Sequence, residues 1–524
     1  MYATILTTLR RATLLAGLAS GILLSPALYA QSSSAWISAA TYGGGGADIG
    51  QAVKVDPNLN RYVTGAFSAT ASFPEQAGAA DTQPASATKA LSSHGGQDVF
   101  LAKYDKLGKL LWLVQAGGTG DDSGFDIAFD AAQNVYLVGM FDDSATFTDV
   151  NGTQKTFSGV GQTIFLAKYR PSGALVWVQT GATDFAGSNN GYGVAIEPGS
   201  QSVYLTGVTQ GDTTFSSVDG TTHTVPGVET WHMFLVKYDT SGLFHWGQTN
   251  EASPNTVGHK VAVDSLANAY VTGWMEAQTT FHSKDGHDVT VNGFSGPVQS
   301  FPDFPADAYI VKYDHNGNLK WVNHIGGYKA IGTDVATAGT GRVSITGLIG
   351  NSGDSPEQAS TIATSQPGGK SVNLGGGILT TPFNRDVFVA TYDGNGVLLK
   401  ARRFGGAQDD GGSGIAYDHS GNLIVAGVFQ GQITIDGRTL TGKDSFNLVV
   451  AKFAPDGKAS EGWAIEADGP GVGDFENSPR IGLTSGGDVL VTGVYQTSAQ
   501  FGRFGILSNG LADGFLAFLI PPNR

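Results

Sequence analysis

The chain's clearest chemical candidates are acids at recurring positions. Asp48, Asp122, Asp410 and Asp474 each open an apolar run just after a glycine-rich turn, and Asn190 holds the aligned place in a fifth run. Oxygen ligands gathered at one mouth of a closed sheet structure would suit a hard cation such as calcium. The alternative is local, because Asp in a turn accepts backbone N–H bonds and tolerates turn geometry. No D-x-D-x-D-G calcium loop occurs. Lys103, Lys168, Lys237, Lys312 and Lys452 recur inside apolar strands. They form either a ring of cationic ligands or, as expected of repeated positions, stems buried between packed sheets with the ammonium reaching the rim or an Asp.

Other chemistry finds less support. The 10 histidines include no H-E-x-x-H or H-x-H spacing, so zinc is weakly supported. His232, His245 and His259 fall in neighbouring strands, which surface positions explain equally well. No G-x-S-x-G elbow exists, and Gly411–Gly414 is a turn of the repeat. Acid pairs for glycoside cleavage are defined by distance rather than spacing, so no catalytic residue is assigned. Trp231, Phe294, Phe301 and Phe304 lie in inserted segments, where aromatics either bind a partner or sugar or cap sheet edges.

Residues 1–30 read as an export signal: Arg10 and Arg11, an apolar stretch Ala12–Leu24, then Pro26 and Ala30 before a cut at Gln31. The expected destination is the periplasm, cell surface or medium. Removing the signal leaves the chain two charges more negative than its formal −15. Nucleic acid and anionic membranes demand a basic face, so neither is an expected partner. No mature segment is long and apolar enough to span a bilayer as a helix. With Cys at 0 there are no disulfides and no thiolate sites, and stability must come from a large core.

The element that positions all these residues is a repeat. DVFLAKYDKLGKLLW (Asp98–Trp112) returns as TIFLAKYRPSGALVW, HMFLVKYDTSGLFHW and DAYIVKYDHNGNLKW. Weaker copies are DVFVATYDGNGVLLK and NLVVAKFAPDGKASEGW, and a truncated one is DGFLAFLI. A second block, DIGQAVKVDPNLNRYVTGAF and its relatives, precedes each copy. The repeats run at about 48–118, 122–182, 190–251, 256–327, 331–406, 410–468 and 474–520. Each carries four short apolar runs separated by Asp/Asn/Gly turns, which predicts four-stranded meanders. Strands apolar on both faces predict burial on both sides, as in sheets packed around an axis. The expected fold is therefore an all-β, seven-bladed β-propeller over residues 31–524. The orphan run 35–42 would complete the truncated last blade, with a bulge because Trp36 is displaced relative to its Gly pair.

An apolar anchor follows the strand glycine (Gly65 before Phe73) in all repeats but the fifth: Phe73, Phe147, Phe215, Phe281, Ile435 and Phe501, the fifth repeat's counterpart being Leu374, displaced by an insert. Asn151-Gly152, Asp219-Gly220 and Asp285-Gly286 then signal type I′ hairpins. Segments near 74–97, 282–305 and 351–370 read as loop inserts.

The alternation of these two blocks resembles the SBBP-type bacterial β-propeller repeat family over nearly the whole mature chain. The resemblance implies export and surface or extracellular residence. Taken together, the expectation is a monomeric, non-enzymatic module binding protein or carbohydrate through its inserts, with no cofactor unless calcium. The alternative is a polysaccharide hydrolase or lyase with acids at the channel mouth.

Overall fold

The computed structural model describes residues 36–521, except 78–86, 185, 200, 254, 294–305, 327–328, 340, 351–357, 367–369, 373–377, 382–383, 444–445, 455–461 and 470–478. Ser34–Arg524 forms one compact unit. Among the described residues there is no helix, and the chain is built from antiparallel sheets. The repeated Val, Ile, Tyr, Phe and Thr runs are too short for helices and suit a pleated, two-sided burial.

One strand order recurs seven times. The inner strands are Asp48–Val55, Ser123–Phe129, Asn190–Ile196, Thr256–Val263, Ala330–Ala338, Asp410–Tyr417 and Arg480–Leu483. In the first meander Asp48–Val55 pairs with Arg61–Pro74, which pairs with Thr88–Tyr104, which pairs with Leu110–Gly117. Inner strands neighbour one another in chain order, and Arg480–Leu483 lies beside Asp48–Val55. The seventh meander takes its fourth strand from the N-terminal side: Trp36–Gly44 pairs with Asp513–Leu519. Its register shifts between Trp36 and Ser38, the irregularity that the displaced Trp predicts.

The apolar faces meet between meanders. Val99, Leu101 and Trp112 of the first share one buried cluster with Ile127, Leu137 and Phe165 of the second. Each fully buried aromatic of this kind contributes on the order of 2–3 kcal/mol of hydrophobic stabilisation.

The segments between second and third strands are not plain loops. Where the sequence predicts an insert at 74–97, the two strands run on as one long hairpin that pairs Phe73 with Lys89. Val289–Asn292 and Gln358–Gln366, inside the other two inserts, are also strands. Their role is visible at every boundary. The hairpin strand pairs back onto the outer strand of the preceding meander: Ala116 with Phe147, Gly181 with Phe215, Asn250 with Phe281, Ile325 with Ile362. Single bridges Gly405–Thr434 and Asp468–Gln500 do the same, and Gly43–Ser72 links the N-terminal strand to the first meander. An outer strand would otherwise expose unpaired N–H and C=O groups, so composition alone misreads these segments. The anchors Phe73, Phe147, Phe215 and Phe281 are fully or almost fully buried beneath these hairpins.

Turn chemistry also departs from expectation. At 151–152, 219–220 and 285–286 only the glycine has positive φ (80°, 80° and 78°), and its N–H bonds the carbonyl three residues back. That is a type I turn with a glycine bulge, not type I′, which needs two positive φ residues. Leu59 has φ 65° in the inner turn where Gly341, Gly421 and Gly487 stand in other meanders. Leu59→Gly should raise the urea-unfolding free energy by about 1 kcal/mol, since a left-handed non-glycine residue is strained.

Candidate functional site

Asp48, Asp122 and Asp410 sit at three separate boundaries, each bound within its own. Asp48 accepts N–H bonds from Gly44 at 2.8 Å and Ser68 at 3.3 Å. Asp122 accepts from Gly118 at 2.8 Å and Asp142 at 3.0 Å, and Asp410 from Gly406 at 2.6 Å and Gln430 at 3.3 Å. The glycine donor lies at or just past the end of the preceding outer strand, so each acid ties two meanders together. Burial, helped by a second carboxylate nearby (Asp513, Asp98 and Asp386 respectively), pushes the three up to about 7, 7 and 8. At these three positions each carboxylate is engaged in local turn bonding, the alternative that the sequence reading set beside a shared cation mouth. Asp474 lies outside the described residues. Among the described residues no group of three or more His, Asp or Glu is placed to hold a metal.

Charged groups do converge where the inner strands face one another. Lys260 Nζ reaches from the fourth meander to donate to the Tyr192 carbonyl at 3.0 Å and the Phe125 carbonyl at 3.2 Å. It also lies 3.1 Å from Asp126 Oδ2. Asp334 accepts the Ile415 N–H at 2.9 Å, and Lys54 and Arg480 complete the electrostatic surroundings of Lys260 and Asp334. Arg480 donates to the Ser413 carbonyl. His259 Nδ1–H donates to the Gly332 carbonyl at 2.8 Å, and burial lowers it to about 4, so it is neutral at pH 7. Three cations (Lys54, Lys260 and Arg480) and two acids (Asp126 and Asp334) are thus grouped together. Lys260→Ala leaves Asp126 buried beside a lost cation and should cost about 3 kcal/mol, read by urea unfolding.

Four of the five recurring lysines reach the next meander. Lys103 Nζ and Trp112 Nε1 both donate to the Pro171 carbonyl, at 2.9 and 3.1 Å. Lys237 and Trp246 share the His315 carbonyl, both at 3.1 Å, and Lys312 and Trp321 share that of Gly394, at 2.6 and 3.2 Å. Lys168 bonds the Thr240 carbonyl at 2.6 Å, and Lys452 lies 3.2 Å from Asp418. Four of these ammoniums also lie 5.0–5.4 Å from a tyrosine ring (Tyr62, Tyr136, Tyr204, Tyr270). Burial between sheets was the expected role. For Lys103, Lys168, Lys237 and Lys312 the target, a turn carbonyl of the next meander, has no signal in the sequence.

Trp231 is half-buried, meeting Trp274 edge-on at 6.4 Å and packing on Val208, Val257 and Ala306. Its carbonyl accepts the Thr256 N–H at 2.8 Å. It therefore covers a sheet edge rather than standing free. Phe294, Phe301 and Phe304 lie outside the described residues.

A cleft of about 170 Å³ opens between the fifth and sixth meanders, with Arg342, Lys400, Arg402, Tyr417, Leu423 and Phe453 in its lining. Sequence reasoning passed over it, although its cause was visible. DVFVATYDGNGVLLK is a weakened copy, with Thr391 and Lys400 where other copies have Lys and Trp.

Comparison with known proteins adds a distant relative. An uncharacterized WD repeat-containing protein of Acanthamoeba polyphaga mimivirus is 23% identical over 493 residues, covering 82% of this chain. The chain spans about a third (34%) of that relative's length. No family model matches, so the resemblance to SBBP-type repeats is not carried by one. Among solved structures, the extracellular domain of a B. thetaiotaomicron two-component system aligns over 91% of this chain and 82% of its own, at 8% identity and TM-score 0.16. A Bacillus halodurans xylan β-1,4-xylosidase aligns over 92% and 88%, at 11% identity and TM-score 0.19. Likeness at that level carries no argument. Repeated meanders and a WD-repeat relative together give the chain the character of a repeat β-propeller.

Proposed function

We propose that this chain is an exported, seven-bladed β-propeller, closed by Trp36–Gly44, that serves as a non-catalytic binding or scaffold module. The observation that carries the reading is the strand order: seven meanders whose inner strands neighbour one another in sequence, the last beside the first. Rigid rings of this kind present variable connections for recognition. The WD-repeat relative supports the interaction role. Arg10–Arg11 and the apolar run after them support export through the N-terminal segment, and the mature module would be residues 31–524.

The test is binding and turnover measured together on a panel of polysaccharides, with reducing ends or unsaturated products counted. The proposal expects a retained polymer of unchanged length. A polymer shortened by the wild type but not by Asp122→Asn or Asp410→Asn would overturn it in favour of an exported hydrolase or lyase. For export, fusion of residues 1–40 to a reporter should direct it out of the cytoplasm, and cytoplasmic retention would refute that part.

A further inference from the structure

We propose that the cleft between the fifth and sixth meanders binds a carboxylate-bearing ligand the size of one sugar acid. The inference rests on the binding-module reading and assigns it a site. It begins from a break in the repeat. In the first, second and fourth meanders one boundary is sealed by the same set: an inner-turn Asp, a Tyr bonded to it, and a Lys and Trp paired across the third and fourth strands. Examples are Asp56, Tyr62, Lys103 and Trp112, or Asp264, Tyr270, Lys312 and Trp321. In the fifth meander all four change. Ala338 stands in the turn, Ser344 pairs with Thr391, and Thr391 pairs with Lys400. An indole and a lysine stem are lost together at the boundary where the cleft lies.

What lines the space is specific. Arg342, Lys400 and Arg402 bring three cations to one cleft of a chain whose formal net charge is −15. Asp436 holds Arg402 with contacts of 2.9 and 2.7 Å from one guanidinium nitrogen, and the guanidinium lies 4.8 Å from the Phe453 ring centroid. Ser344 Oγ bonds both Thr391 Oγ1 and Tyr417 Oη at 2.6 Å, placing three hydroxyls together. Guanidinium and ammonium groups favour a carboxylate. Hydroxyls suit a sugar's OH groups, and Tyr417, Phe453 and Leu423 offer apolar surface to its C–H face. A volume of about 170 Å³ admits one six-membered ring and is small for a larger ligand.

The experiment titrates the mature chain with glucuronate, galacturonate, glucose and galactose by calorimetry, then with oligogalacturonate to separate a free sugar acid from a polymer end. Binding of either hexuronate at least tenfold tighter than its neutral sugar, weakening as salt rises, is expected. The double variant Thr391→Lys/Lys400→Trp restores the repeat residues and fills the space. It should melt no lower than the wild type and bind hexuronate at least tenfold more weakly. Lys400→Gln, at an exposed position, should weaken binding several-fold without unfolding the chain. Absence of hexuronate binding, equal binding of the neutral sugars, or unchanged binding in the filled variant overturns the proposal. Any of these outcomes leaves the polysaccharide-panel test of the binding module standing separately.

Discussion

Removing residues 1–45 is expected to lower the melting midpoint by about 10 °C or to leave the chain insoluble, whereas removing only residues 1–30 is expected to change nothing. Trp36 and Tyr42 are each 2% exposed, so the deleted strand carries two buried aromatics. Trp36 meets Phe501 at 5.1 Å and donates to the Glu466 carbonyl at 3.0 Å. Tyr42 packs on Phe73 and Phe100 at 5.6 and 5.2 Å and its hydroxyl bonds Thr492 at 2.8 Å. Losing a buried aromatic costs about 3–5 kcal/mol, and two cost roughly twice that. Unfolding entropy of about 2 cal/mol/K per residue converts that total to a midpoint shift of the stated size. The deletion also bares the edge of Asp513–Leu519, a template for aggregation. Equal calorimetric midpoints for the two truncations would contradict the role given to this strand.

The second large effect is a loss of stability as pH rises through neutrality. Unfolded Asp titrates at about 3.9. In the fold, burial holds Asp48 and Asp122 at about 7 and Asp410 at about 8. Groups raised in this way stabilise the folded state while protonated, and that contribution disappears as pH climbs through the folded values. His259 and His324, both lowered to about 4 by burial, act in the opposite sense only below their unfolded value of about 6.5. Asp314, held at about 2, matters only in acid. Between pH 6.5 and pH 9 the three raised acids drive an expected fall in midpoint of about 3 °C, which Lys103, Lys237, Lys260 and Lys312, lowered by burial, oppose toward the alkaline end. Asp122→Asn with Asp410→Asn should remove most of that slope and stabilise the chain at pH 9. The third meander already carries Asn190 at this position, and an amide oxygen still accepts the glycine N–H. A flat or rising midpoint across that window would refute the protonation assignment.

Much of the architecture was legible because it is repeated. Gly65-to-Phe73 spacings, Asp-x-x-Gly turns and two-sided apolar strands each state the same meander, and agreement across copies fixes register. The misplaced Trp36 even announced its bulge. What stayed hidden involves partners from other copies. Nothing in Lys103 or Trp112 says that both will meet the carbonyl of Pro171. The insert segments misled because Ser- and Gly-rich composition reads as loop, while the unpaired edge of the neighbouring outer strand recruits them as strand. The cleft was legible only by subtraction, from Thr391 and Lys400 failing to match their copies.

The closure is tested most directly by a cysteine pair, because the native chain has Cys at 0 and any thiol signal is introduced. Ala39 and Ala517 are direct partners across Trp36–Gly44 and Asp513–Leu519. Facing residues of an antiparallel pair lie about 4.5–5.5 Å apart at Cα, within the span of a disulfide. In Ala39→Cys/Ala517→Cys the account predicts rapid oxidation to an intramolecular bond, loss of free thiols in the folded monomer, and a higher melting midpoint that reductant reverses. Two free thiols that remain reactive in the folded monomer, or linkage only between chains, would contradict closure of the last meander by the N-terminal strand.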